Sequence, residues 1–330
     1  MSLDVGILSA AHVHTDGYAT QLAERVDVSF VGVTDEDGER GRACADRHGT
    51  EYVADADALL GRLDAAVICA PNADHRAWVE RASAAGVSVL CEKPLAPTLD
   101  EARAIVEIWE SAGTEIGVAM PLRFSEPARR AKRALEDGEI GSVRAISGTN
   151  RGKMPGGWFA DSEKAGGGAA MDHTVHIVDL VSHLTGEAVA EVYAELDTRF
   201  HDIPVDDVNV LSMELTDGTP FLLDGSWSIP ETWHTWGDAT VELLGEDGTL
   251  AVDSTDQSVV HTVASGPDAG VRTVSHATNT SAALIADFVE SVREGRDPMT
   301  TPDEGLKAVA VVEAAYESAE RGEPIAVQYR

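Results

Sequence analysis

Short apolar runs alternate with amphipathic segments through the first 120 residues. Residues 4–8, 28–34, 65–70, 87–91 and 116–120 are apolar over most of their length. The first four runs are followed by segments of helical spacing at 17–25, 38–47, 76–85 and 99–112. Parallel strands need a crossover between them and are buried on both faces, so this half predicts a doubly wound α/β domain. After Arg123 the texture changes. One helix, 126–136, precedes strand-like segments at 143–149, 188–196, 209–215, 220–228, 240–244, 249–252 and 259–263. Turn residues such as Asp217-Gly218 and Glu246-Asp247-Gly248 join them, which predicts a largely antiparallel sheet. Two helices, about 281–294 and 303–321, close the chain. The expected organisation is a doubly wound parallel-sheet domain over 1–122 and an α+β domain with a large, mostly antiparallel open sheet over 123–330. The final helix is placed to pack back on the first domain. A length of 330 residues agrees with two domains of ~100–200 residues each.

Composition supports a folded protein, with 43% hydrophobic and 25% charged residues. The charge balance is unusual: 57 acidic against 25 basic residues give a net charge of −32. Nucleic acid and anionic membrane surfaces would be repelled, so neither is an expected partner. Dispersed carboxylates, as at Asp35-Glu36-Asp37 and Asp206-Asp207, with very few lysines suit a protein of a salt-rich cytoplasm, where screening weakens self-repulsion. Three cysteines, two of them in strand-like runs, read as reduced thiols. The first residues lack a basic start and no run reaches the ~18 apolar residues of a membrane span, so a cytoplasmic location is expected.

Ligands bind an open parallel sheet at the carboxyl ends of its strands, so the loop after the first strand should carry phosphate-binding glycines. It reads Ser9-Ala10-Ala11-His12-Val13-His14, with Ser, Ala and His at the glycine positions of G-x-G-x-x-G. Asp35 ends the second strand at the spacing where a carboxylate accepts from the ribose hydroxyls of NAD and repels a 2′-phosphate. Read alone, it is equally one surface carboxylate among 57. Cys69-Ala70-Pro71-Asn72-Ala73-Asp74-His75 follows one strand and Glu92-Lys93-Pro94-Leu95 the next. Lys93 is one of five lysines in a chain that otherwise uses arginine. A lysine can release its proton when buried beside a positive nicotinamide, and a guanidinium effectively cannot.

Together with Arg123-Phe124, Arg129-Arg130, Trp158-Phe159 and Gly166-Gly167-Gly168 followed by Asp172, His173 and His176, these residues resemble the glucose-fructose oxidoreductase and inositol dehydrogenase family, Gfo/Idh/MocA. The resemblance spans nearly the whole chain. It implies a Rossmann domain binding NAD, with NADP less favoured, and a second α/β domain whose open sheet pairs subunits into a homodimer or homotetramer. It implies oxidation of a sugar, polyol or sugar-acid hydroxyl, or the reverse reduction. Carried over, Gly6, Ser9, Ala11, His12, Asp35, Pro71, Asn72, His75, Glu92 and Lys93 fall on the cofactor side. Lys93, Asp172 and His176 carry the chemistry, and Arg123, Trp158, His173, His176 and His234 fall on the substrate side.

The residue types agree with those roles. Asp172 and His176 at i and i+4 share one helical face, and the three glycines before them permit a sharp turn and a close approach to ligand. Removing hydride from an alcohol carbon requires the hydroxyl proton to leave as well, a task for His176 or Lys93 with Asp172 orienting. A rival reading on the same scaffold is a non-redox protein. It would be a metal-assisted enzyme drawing ligands from His12, His14, Asp172, His173 and His176, or a cofactor-sensing binding protein without turnover.

Overall fold

A computed structural model describes residues 2–264, 270–275 and 278–329. The chain forms two compact units: Met1–Met120 with Glu163–Gly166 and Ser281–Leu306, and Pro121–Ser162 with Gly167–Thr280 and Lys307–Arg330. The division is thus not a single cut near residue 122, because the segment holding the first of the two closing helices belongs with the amino-terminal unit.

In that unit the strands are β1 (Leu3–Leu8), β2 (Val28–Thr34), β3 (Glu51–Tyr52), β4 (Ala65–Ile68), β5 (Ser88–Cys91) and β6 (Ile116–Val118). The helices between them are α1 (Thr15–Glu24), α2 (Gly38–His48), α3 (Ala56–Leu60), α4 (His75–Ala84) and α5 (Leu99–Ala112). All strand pairs are parallel, in the order β3-β2-β1-β4-β5-β6. The order reverses between β1 and β4, which opens a crevice at their carboxyl ends. Every residue of β4 and β5 is buried, as expected for strands covered on both faces. Gly6 is closely packed: a Cβ there would stand 2.7 Å from Leu63 Cδ1, the end of a flexible side chain, and 3.2 Å from Gly32 O.

The remaining helices are α6 (Glu126–Glu136), α7 (Ser162–Ala165), α8 (Ala169–Thr185), α9 (Thr280–Glu294) and α10 (Pro302–Arg321). The second unit contains β7 (Val143–Thr149), β8 (Val189–Asp197), β9 (Val208–Leu215), β10 (Pro220–Asp224), β11 (Thr240–Gly245), β12 (Gly248–Asp253), β13 (Ser258–Val263), β14 (Gly270–Ser275) and β15 (Ile325–Ala326). They make one sheet in the order β14-β13-β12-β11-β7-β10-β9-β8-β15. Within this sheet, among the described residues, only β7 and β10 pair in parallel. Helices α6 and α8 pack on this sheet. The other face keeps the polar alternation of β9, β10 and β11 but exposes Val210, Leu222 and Leu244. The strand expected over 220–228 ends at Asp224, where the backbone turns through Gly225 and Ser226.

Candidate functional site

The loop after β1 makes its turn without the expected glycine. Ser9 adopts φ +66°, the left-handed region that favours glycine. Its backbone N–H donates to Thr34 O and its Oγ to Asp35 Oδ2 at 3.3 Å. Asp35 also accepts from the N–H groups of Ala10 and Asp37, and Arg40 donates to both of its oxygens at 2.6 and 3.0 Å. The Asp35 side chain is wholly buried and that of Arg40 is 41% exposed. In this structure the carboxylate that the sequence assigned to ribose is the anchor binding the β1 loop to the start of α2. Arg40 is the group presented beside it. Sequence reading passed over Arg40, although its place five residues after Asp35 across a helix cap was a usable signal.

Beyond this anchor, the N–H groups of Ala11 and His12 both donate to Cys69 O, and Thr15 Oγ1 donates to His12 O. This turn delivers His12 and His14 to the end of β5. Glu92 Oε1 lies 3.4 Å from His12 Nδ1 and 3.0 Å from His14 Nδ1, and the Lys93 N–H donates to Glu92 Oε2 at 3.0 Å. Glu92 is completely buried. Burial alone would raise its carboxyl, but the charges of His12, His14 and Lys93 overcome that and hold it well below the usual range. The same burial, with Glu92 nearby, pushes the Tyr18 phenol upward. Lys93 is 3% exposed.

His75 is buried between the carbonyls of Pro94, 3.0 Å from Nδ1, and Ala70, 3.1 Å from Nε2. Burial lowers its pKa despite those two acceptors. It therefore ties the Cys69–Pro71 turn to the Glu-Lys-Pro turn. Asn72 Nδ2 donates to Ala165 O, while Asn72 Oδ1 is buried without a hydrogen-bond partner among the described residues. The first turn of α1 carries no side-chain cap. An open helix N-terminus after β1 and an orphaned acceptor after β4, both at the carboxyl edge of the sheet, fit a bound dinucleotide. The residues that would hold it are those of the β1 loop, with Pro71 and Asn72.

In the second unit, α8 places Asp172 and His176 four residues apart, with Asp172 7% exposed and His176 half-buried. Trp227 Nε1 donates to Asp172 Oδ2 at 3.2 Å, and His173 Nε2 lies 3.3 Å from the same oxygen. The opposite ring nitrogen of His173 donates to Gly225 O. Trp227, which sequence reading did not single out, is thus the indole that fixes Asp172. Two of the three glycines, Gly167 and Gly168, serve packing here. A Cβ on Gly168 would fall 1.9 Å from Asp206 O, and one on Gly167 would fall 2.1 Å from Tyr316 Oη. Asp206 accepts from the N–H groups of Gly168 and Ala170 and from Tyr316 Oη, so it caps the start of α8 from outside the helix. Burial raises its carboxyl pKa against those hydrogen bonds.

Arg123, expected beside substrate, is 3% exposed and donates to both oxygens of Asp179 at 2.6 and 2.8 Å. Its guanidinium fork is committed to a buried ion pair. Trp158 stacks on Phe159 and packs against the cluster of Phe159, Ala169, Val205 and Trp227. His234 is exposed and lies against Trp233. For a metal, the sequence grouped His12 and His14 with Asp172, His173 and His176, whereas the carboxylate that the structure sets beside the two loop histidines is Glu92.

Comparisons with known proteins agree with this architecture. Residues 5–120 match the model of an oxidoreductase family with an NAD-binding Rossmann fold, and residues 128–251 match the GFO/IDH/MocA C-terminal domain. The chain is 30% identical to a D-apiose dehydrogenase of Paraburkholderia graminis over 315 residues, 90% of this chain and 82% of that protein. It is 27% identical to an inositol 2-dehydrogenase of Rhizobium meliloti over 331 residues, 96% of this chain and 97% of that one. The crystal structure of an oxidoreductase domain protein from Kribbella flavida superposes with a TM-score of 0.90 at 25% identity, covering 99% of this chain and 100% of that chain. With both of its halves matched and a dehydrogenase relative aligned along nearly its full length, the chain belongs to the Gfo/Idh/MocA family of NAD-binding oxidoreductases.

Proposed function

We propose that this protein oxidises a hydroxyl of a sugar, polyol or sugar acid, or runs the reverse reduction, with Lys93 as the proton-transfer group. The observation that carries this reading is a lysine 3% exposed in a chain with five lysines, standing at the carboxyl end of β5 with its N–H held by the buried Glu92 carboxylate. When bound, NAD supplies the hydride acceptor. Lys93 takes the proton that the substrate hydroxyl must lose, or returns it in the reverse direction. Glu92 and His75 keep the turn that carries Lys93 in one geometry. We assign substrate contacts in the second unit to Asp172, held by Trp227, and to the half-buried His176.

The three cysteines are free and buried, which suits a reducing compartment and supports a cytoplasmic location. No described helix is long and apolar enough to cross a membrane. Apolar side chains exposed on the second sheet, Val210, Leu222 and Leu244 among them, support a homo-oligomer formed through that face, readable by light scattering. The function is tested by quenching of tryptophan fluorescence with NADH, followed by a screen of sugars, polyols and sugar acids with NAD and NADP in high salt. Turnover with NAD on a member of those classes supports the proposal. Failure to bind either nucleotide would overturn it.

A further inference from the structure

We propose that His12, His14 and Glu92 form a binding site for a divalent transition metal, with Zn²⁺ as the best-fitting ion. The two imidazoles lie at i and i+2 in the turn between β1 and α1, and the carboxylate stands at the end of β5. The three side chains offer ligand atoms that all lie within 4.8 Å of one another. Glu92 Oε1 is 3.4 Å from one Nδ1 and 3.0 Å from the other. Bonds of 2.0–2.1 Å at tetrahedral angles put neighbouring ligand atoms about 3.3 Å apart, so small side-chain shifts would place all three on one ion.

Glu92 Oε1 accepts from His14 Nδ1 at 3.0 Å, and the His14 N–H donates to His12 Nδ1 at 3.2 Å. A divalent cation would displace the proton shared by His14 and Glu92, and the buried His12 ring stands 3.4 Å from the same carboxylate oxygen to complete the set. Two imidazoles and one carboxylate are the donor types Zn²⁺ takes, and the 42% exposed His14 ring leaves a fourth position for water. The bound ion would fasten the glycine-poor β1 loop to the Glu-Lys-Pro turn.

A second grouping, Asp16, Cys44 and His48, is a poorer donor set. Asp16 is taken up by Arg47 and His48, and burial pushes the Cys44 thiol up to about 11, away from the thiolate a metal needs.

The site is tested on the chelator-stripped full chain, without nucleotide, by titration with Co²⁺ followed by its visible ligand-field absorption. One equivalent is expected, with no sulfur-to-metal charge-transfer band. His14→Ala, at a half-exposed position, should weaken binding by roughly tenfold or more, and Glu92→Gln should do the same. Cys44→Ser should leave the titration unchanged. Binding well below one equivalent, or one equivalent that His14→Ala and Glu92→Gln both retain, would overturn the site. Neither result bears on whether the chain oxidises a sugar, since the titration is done without nucleotide or substrate.

Discussion

Ser9 donates its hydroxyl to Asp35 at 3.3 Å while its own backbone sits at φ +66°, so one pair of residues both strains and secures the turn after β1. A non-glycine residue in the left-handed region costs roughly 1–2 kcal/mol, and the hydroxyl bond returns about 1 kcal/mol. Ser9→Gly removes both terms and should change stability by less than about 1 kcal/mol. Ser9→Val keeps the strain, adds β-branching and loses the hydroxyl, and should destabilise by about 2–3 kcal/mol. Urea unfolding measures both, and a Ser9→Val variant as stable as wild type would contradict this account.

Arg123 and Asp179 form a bidentate pair with side chains 3% and 1% exposed. Removing one partner strands the other charge, so Arg123→Met should cost about 3–5 kcal/mol. The double variant Arg123→Met/Asp179→Leu should recover most of that loss. A purely substrate-binding Arg123 would instead leave stability unchanged and raise KM.

His75 gives a pH dependence with a definite sign. Burial holds its folded pKa below the ordinary 6.5, so the unfolded chain binds the proton more readily. The stability from the neutral ring is present above pH 6.5 and is lost as pH falls below it. Wild type should therefore lose more stability between pH 7.5 and 5.5 than His75→Gln does. Equal losses would show that this imidazole does not contribute.

The net charge of −32 predicts a strong response to salt. Raising ionic strength from 0.1 to 1 M shortens the screening length from about 10 to 3 Å, which should relieve carboxylate repulsion and raise Tm. Full stability in dilute buffer would count against a salt-adapted surface.

Much of the fold was legible in the chain because its periodicities are strong. The segments expected over 28–34, 99–112, 126–136 and 143–149 coincide with β2, α5, α6 and β7. The two-residue β3 and five-residue α3 are too short to show a period, although Asp55 caps α3 through the N–H groups of Asp57 and Ala58. The full extent of α8 was hidden for the opposite reason. Nearly all of it is buried, so it shows no polar stripe, and only its glycines and the Asp172–His176 spacing marked it. The missing glycines of the first loop were visible, but a serine taking the glycine conformation under an aspartate's grip was not. The meeting of Glu92 with His12 and His14, the latter 78 residues away in the chain, follows from strand order, which sets β1 and β5 on either side of β4. Spacing along the chain carries no record of it.

The central claim is that Lys93 moves the substrate proton. Lys93→Met should still quench tryptophan fluorescence with NADH to within a few-fold of the wild-type dissociation constant. Its kcat on the substrate identified by the screen should fall by roughly 10²–10⁴. A Lys93→Met enzyme that binds NADH and turns over at the wild-type rate would contradict the mechanism.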